Sequence, residues 1–260
     1  MKFFSATGWN DGYNYPYFLA NTSYITLNIS DIAEELIIDS DIHDDAVTND
    51  TIAETSKRYS LKYGRTFVVP KDYFRDPAKT IESVKEFVYN YVYHGELLVP
   101  LQPDEKGNYW DCFQKLRDYS EYFGIGGLAD LKDAEQFRRI KNAVTLISTE
   151  GVKIHLFGIF PSRWAGGSET DFWRWLVVDK NRDLIESCDS VVCETCAATG
   201  NIFDMNLHRH QMSTKDRRNT EYKHALATAN CWAVQCGVNE IPRKSPASAW
   251  GGNLSNLKRF

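Results

Sequence analysis

No apolar run in this 260-residue chain approaches the roughly 20 residues that span a bilayer, and the opening Met1-Lys2-Phe3-Phe4-Ser5 turns polar within a few residues. The expectation is a soluble, unexported protein with no membrane partner. A disulfide framework is also missing. The six cysteines are unevenly spaced, several of them late in the chain, so reduced thiols in a cytoplasm are the expected state. What is present is core-forming material: 43% of the residues are hydrophobic. That is enough for one large domain, barrels of about 250 residues commonly being single domains.

Charge is divided unequally along the chain. Of 30 Lys/Arg and 35 Asp/Glu, residues 205–260 hold 9 and 3, leaving 21 and 32 for residues 1–204. A basic segment on an acidic body can be a footprint for nucleic acid, whose phosphates dominate affinity, or it can be a solvated helix face. The division suggests residues 1–204 as the core and 205–260 as a basic helical extension of the same domain.

Five β-rich apolar runs each stop on an Asp, Gln or Gly: Glu35–Asp39, Thr66–Asp72, Glu96–Gln102, Tyr122–Gly127 (in the stretch Tyr122–Leu128) and Lys153–Gly158. Their ends at Asp39, Asp72, Gln102, Gly127 and Gly158 are 33, 30, 25 and 31 residues apart, about the length of one strand–helix–strand unit. Between them lie helical patterns. A helix is expected over about 50–63, and another starts at Asp76-Pro77 with Ile81, Val84, Phe87, Val88 and Tyr91 on its inner stripe. Two more are expected over 110–122 and 130–146, the latter with Phe137, Ile140 and Val144 inward. Adding possible strands at Lys2–Ser5, Tyr24–Ile29 and Ser190–Val192 gives eight. The predicted fold is α/β, a (β/α)8 TIM-type barrel.

In such a barrel the chemistry sits where strands end. Asp39, Asp72, Gln102, Gly126, Gly127, Gly158 and Asp189 would then converge. Two or three carboxylates with a carboxamide suit reaction at a glycosidic carbon, one carboxylate attacking and another moving protons on the departing base. An Asp after a strand is, taken alone, more often a cap or turn former. The acidic stretch Asp39-Ser-Asp-Ile-His-Asp-Asp45 can be a divalent-cation site or a solvated turn. The aromatic loop Gly8–Tyr17 can cover a site or pack over a barrel end.

The ordered series Ile37-Ile38-Asp39-Ser40, Val69-Pro70-Lys71-Asp72, Val99-Pro100-Leu101-Gln102, Ile125-Gly126-Gly127-Leu128, His155-Leu156-Phe157-Gly158, Cys188-Asp189-Ser190-Val191 and Thr199-Gly200-Asn201-Ile202-Phe203 resembles the tRNA-guanine transglycosylases. It is more similar to their shortened relatives, many of them viral, that insert 7-deazaguanine bases into DNA. The resemblance covers about residues 35–205 and implies a base-exchange enzyme. Asp189 would be the nucleophile and Asp39 the second active-site aspartate. Asp72, Gln102, Gly126, Gly127 and Leu128 would bind the base, with Phe157 and Gly158 walling it. The zinc run of the tRNA enzymes has no counterpart in the expected place, so the resemblance implies no cofactor. Cys193 and Cys196 with His208 and His210 could be zinc ligands or, for the cysteines, buried thiols. Asp41-Ile42-His43-Asp44 also departs from the family's Gly-rich, aromatic segment after the first aspartate.

In place of the zinc module stands a basic stretch with Arg209, Lys215, Arg217 and Arg218, expected to grip a polynucleotide, DNA first and tRNA second. A protein partner or oligomer remains open. So do two other readings: a non-catalytic homologue that binds nucleic acid or a partner, and an unrelated barrel enzyme such as a sugar hydrolase.

Overall fold

Alternation along each strand builds the molecule. The computed structural model describes residues 1–7, 13–23, 25, 27–128, 134–159, 175–176, 181–203, 209–211 and 220–239. Nine strands, β1 (Lys2–Thr7), β2 (Tyr17–Asn21), β3 (Glu35–Asp39), β4 (Arg65–Val68), β5 (Glu96–Leu97), β6 (Val99–Leu101), β7 (Tyr122–Ile125), β8 (Lys153–Leu156) and β9 (Ser187–Ser190), form one sheet. All its pairings are parallel, in the order β5-β4-β3-β2-β1-β9-β8-β7-β6. The two end members are separated in the chain by Leu98 alone. β5 pairs with β4 and β6 with β7, so one segment supplies both edges and brings the sheet round to a nearly closed barrel with eight strand positions.

Side chains at alternate positions fill opposite faces. Phe4, Ala6, Leu19, Ile37, Phe67, Val69, Leu98 and Tyr122 make the buried interior of the barrel. Phe3, Phe18, Leu36, Ile38 and Val68 point the other way, into the layer under the helices. Where the strands begin, Lys2 pairs with Glu35 at 2.7 Å and Arg65 with Glu96 at 2.7 Å, closing that end with charge. The opposite mouth carries the polar residues of the candidate site.

The helices are α1 (Leu27–Ile32), α2 (Asn49–Tyr59), α3 (Pro77–Asn90), α4 (Trp110–Leu116), α5 (Ala134–Ser148), α6 (Val192–Ala198) and α7 (Thr220–Asn239). Asp76 caps α3 by accepting from the Lys79 amide at 3.0 Å, with Pro77 at the first helical position, as the sequence predicts. Ile81, Val84 and Phe87 are its buried stripe. A small antiparallel hairpin, β10 (Asn201–Phe203) with β11 (Arg209–Gln211), precedes α7. The Gln235 side chain on α7 accepts from the Phe3 amide at 2.8 Å and donates to the Met1 carbonyl at 3.1 Å, fastening that helix along β1. No helix among the described residues is long and apolar enough to cross a membrane.

Several boundaries differ from the sequence expectation. The strand expected over Tyr24–Ile29 gives way to helix where the chain is described: α1 begins at Leu27, and Ile29 within it is buried, as is Ile25 before it. The second strand is Tyr17–Asn21, at the end of the aromatic loop. Tyr13 and Tyr15 of that loop are buried, with the Tyr15 hydroxyl donating to the Phe3 carbonyl at 2.6 Å. The helix expected over 110–122 stops at Leu116, since Tyr122 is the first residue of β7. The eighth strand position is filled by Ser187–Ser190 rather than Ser190–Val192, because Val192 starts α6. Its sequence, Ser-Cys-Asp-Ser, carries too little hydrophobicity to signal a strand.

Candidate active site

The polar mouth is built from the ends of four strand positions. Asp39 is the last residue of β3, and its carbonyl accepts from both the amide and the hydroxyl of Thr22 at 3.0 and 2.8 Å. Gln102 follows β6, Asp72 lies just past β4, and Asp189 is inside β9. Asp72 is buried. Ser40 Oγ donates to its Oδ1 at 2.6 Å, and Gln102 Nε2 to its Oδ2 at 2.6 Å. The Gln102 carbonyl oxygen in turn accepts from the Arg75 amide at 3.2 Å. A carboxylate with both oxygens bound has a fixed orientation.

Asp189 is held differently. Its Oδ1 accepts from the Gly158 amide at 3.0 Å and faces His155 Nε2 at 3.0 Å. His155 Nδ1 lies 2.6 Å from Ser187 Oγ, which also meets the Tyr122 hydroxyl. Oδ1 already serves as an acceptor for the Gly158 amide, so the imidazole proton is assigned to Nε2, leaving Nδ1 to accept from Ser187 and Ser187 to accept from Tyr122. The buried chain Tyr122–Ser187–His155 thus ends on one oxygen of Asp189. Oδ2 has no hydrogen-bond partner among the described residues.

Asp39 feels both neighbouring carboxyl groups. Burial, then the charges of Asp72 and Asp189, push the Asp39 carboxyl up to about 8, against which the amides of Ser40 and Asp41 act weakly. Asp39 keeps some solvent access, but its dense surroundings leave the charged form poorly hydrated. Asp72 is also raised by burial, with Ser40, Gln102 and Lys71 opposing the shift. At neutral pH the mouth therefore holds Asp39 mainly as a carboxylic acid.

The glycines in and just after β7 have a packing role. A Cβ on Gly124 would lie 2.1 Å from the Phe157 ring, and one on Gly126 would lie 2.4 Å from Gln102 Nε2. Removing these side chains lets the ring and the amide fold over the strand end. Phe157 also meets the His155 ring edge-on at 4.6 Å. Gly126 donates to the Leu101 carbonyl at 3.0 Å and its own carbonyl accepts from Tyr109 at 2.8 Å. Gly127 has φ +69°, in the left-handed region, and Leu128 is buried beside it.

The acidic stretch after Asp39 encloses a cation from the protein itself. The buried Lys71 ammonium donates to the carbonyls of Asp41 and Asp44 at 2.9 and 2.8 Å, and the Lys71 amide donates to Asn49 Oδ1 at 2.9 Å. Lys71 therefore organises this turn from the residue next to Asp72.

The mouth brings together Asp39, Asp72, Gln102, Gly126, Gly127, Phe157, Gly158 and Asp189, whereas Leu128 is buried in the layer under the helices. It does not bring Arg209 with them, which lies on the β10–β11 hairpin, and Lys215, Arg217 and Arg218 lie outside the described residues. Cys193 and Cys196 are buried thiols on α6; burial, and then the Cys231 thiol of α7, push the Cys193 thiol well above its ordinary range. His208 is outside the described residues. No group of three His, Cys, Asp or Glu able to hold a metal occurs among the described residues. Sequence reasoning missed the support provided by His155, Ser187, Tyr122 and Lys71. Period-two spacing was the available signal, since His155 precedes Phe157 by two on β8, and Ser187 precedes Asp189 by two on β9. Compared with models of protein families and with curated proteins, the chain matches neither.

Proposed function

We propose that this chain is a base-exchange transglycosylase that replaces guanine in DNA with a 7-deazaguanine base through a covalent aspartyl-glycosyl intermediate. The observation that carries the reading is the pairing, at one barrel mouth, of Asp39, mainly protonated at neutral pH, with Asp189, held through Oδ1 alone by His155 and the Gly158 amide. A carboxyl group poised as an acid beside a second, oriented one is what acid-assisted displacement at a glycosidic carbon needs. The ordered motif resemblance to the transglycosylases supports the choice of guanine as leaving base.

In this mechanism Asp189 Oδ2 attacks the anomeric carbon as the bond to guanine breaks. Asp39 gives its proton to the departing base and becomes a carboxylate. The incoming 7-deazaguanine returns a proton to Asp39 as its ring nitrogen attacks the same carbon, and the ester to Asp189 breaks. Protons balance over the cycle, and two displacements retain configuration. Asp72 and Gln102 stand beside this path as an oriented polar edge for the base, with Phe157 as an apolar wall. Left unpaired, such buried groups would discriminate against a base that could not match them.

The test is incorporation of radiolabelled guanine into duplex DNA, single-stranded DNA and tRNA, with Asp189→Asn alongside. Incorporation into DNA that disappears in the variant is the expected result. Incorporation into tRNA alone would keep the chemistry and overturn the DNA assignment. No incorporation by folded protein into any polymer would overturn the reading.

A further inference from the structure

The turn that follows Asp72 places an unusual set of side chains on the rim of the mouth. Tyr73 and Phe74 are 36% and 41% exposed, side by side, at the end of the barrel where the strands finish. The Arg75 guanidinium lies 4.8 Å from the centre of the Phe74 ring, and Lys79 Nζ lies 5.7 Å from that of Tyr73. Arg75 has φ +52°, a left-handed conformation that a residue with a side chain adopts at a cost. Its amide donates to Gln102 Oε1, so this backbone is tied to the Gln102–Asp72 pair at the centre of the site. Lys79 is partly balanced by Asp76 at 3.7 Å, whereas the Arg75 guanidinium makes no ion pair with any described residue.

Similar pairs occur elsewhere without that placement. Tyr63 is 92% exposed with Lys62 5.0 Å from its ring centre, but both lie in the α2–β4 connection, at the opposite end of the barrel. The two turns share aromatic and cationic chemistry. Only the first adjoins the carboxylates.

Exposed rings accept stacked bases without regard to sequence, and cations among them take the phosphates between. We infer that Tyr73, Phe74, Arg75 and Lys79 form a contact platform for single-stranded DNA, seating the nucleotides that flank the one drawn into the mouth. The inference rests on the polymer substrate proposed above and assigns its grip to the β4–α3 turn rather than to residues 209–218. Stacking on Tyr73 and Phe74 supplies affinity, and the Arg75 guanidinium supplies the salt-dependent part.

The experiment is fluorescence anisotropy with a 5′-labelled single-stranded DNA 12-mer between 50 and 200 mM salt, using the full chain. Tyr73→Ala with Phe74→Ala is expected to weaken binding about tenfold or more with the salt slope unchanged. Arg75→Gln with Lys79→Gln is expected to flatten the slope by about 0.7 for each phosphate no longer neutralised. Lys62→Gln with Tyr63→Ala should match wild type. Far-UV circular dichroism confirms that each variant is folded. The platform is overturned if wild type does not bind the DNA, if both rim pairs bind as wild type does, or if the Lys62/Tyr63 pair loses as much. Sensitivity confined to an RNA 12-mer would overturn DNA as its occupant. Guanine incorporation is scored separately: exchange with an insensitive rim removes only the platform, and a sensitive rim without exchange removes only the base-exchange reading.

Discussion

The amide of Gln102 occupies the space that a side chain on Gly126 would need, its Nε2 standing 2.4 Å from where that Cβ would be. The glycine and the glutamine are therefore one device. Gln102 reaches Asp72 only because the chain has no side chain just past the end of β7.

Gly126→Ala should displace Gln102 and break its bond to Asp72. Overpacking of this kind costs about 1–3 kcal/mol, which a lowered midpoint in urea unfolding would register. Base exchange should suffer more than stability does, with the larger effect on the KM for the entering base. Unchanged unfolding and unchanged KM would show that Gln102 has another way to reach Asp72.

His155 is expected to act through Asp189. His155→Leu should lower kcat by up to about 100-fold, with KM for the base changed far less, because a lost positioning donor is felt chiefly in the transition state. His155→Gln, which keeps an N–H donor, should recover part of that loss. Equal losses in both variants, shared between kcat and KM, would reduce His155 to a packing role.

The Asp39 carboxyl, raised to about 8, sets two pH dependences. Below about pH 4 it is neutral in both folded and unfolded chains and costs nothing. Between about 4 and 8 the folded protein holds a proton that the unfolded chain has released, so stability falls as pH rises, and above about 8 the full penalty is present. Asp39→Asn should flatten this slope in thermal melts taken from pH 5 to 9. Exchange by the wild type should decline through an apparent pKa near 8, as the group able to protonate the leaving base is lost. Melts of the variant with the wild-type slope would assign the titration to another group.

Lys71→Met should destabilise the chain by about 1–3 kcal/mol, because the carbonyls of Asp41 and Asp44 lose the donor that binds them. It should also raise Asp72 further, since the Lys71 charge is among the influences holding that carboxyl down. Carbonyl carbon shifts of Asp72 followed by NMR against pH would report the change, and a titration unmoved from wild type would contradict it.

Much of this architecture is legible in the sequence because barrel strands announce themselves when their cores are apolar. Leu36-Ile37-Ile38 and Phe67-Val68-Val69 are hydrophobic on both faces, as buried parallel strands must be. The pattern misplaces β9 because its inward positions are Ser187 and Asp189: the residues that make it part of the site remove its hydrophobic signal. Tyr17–Asn21 hides at the end of a loop because its aromatic start continues the loop's composition. Asp39, Asp72 and Gln102 can be read from their places after apolar runs. The links between them cannot, since a bond such as Ser40 to Asp72 joins residues 32 positions apart, and neither carries a local mark of the other.

The pairing of β1 with β9 also governs how the chain can be made. Lys2–Ser5 lies against Ser187–Ser190, so β1 leaves the ribosome without one of its neighbours until some 185 further residues have followed. Gln235 fastens the Met1 and Phe3 backbone later still. During synthesis β1 presents an open edge, a surface on which nascent chains aggregate. Chaperone demand should therefore fall when β9 and then α7 emerge and cover that edge.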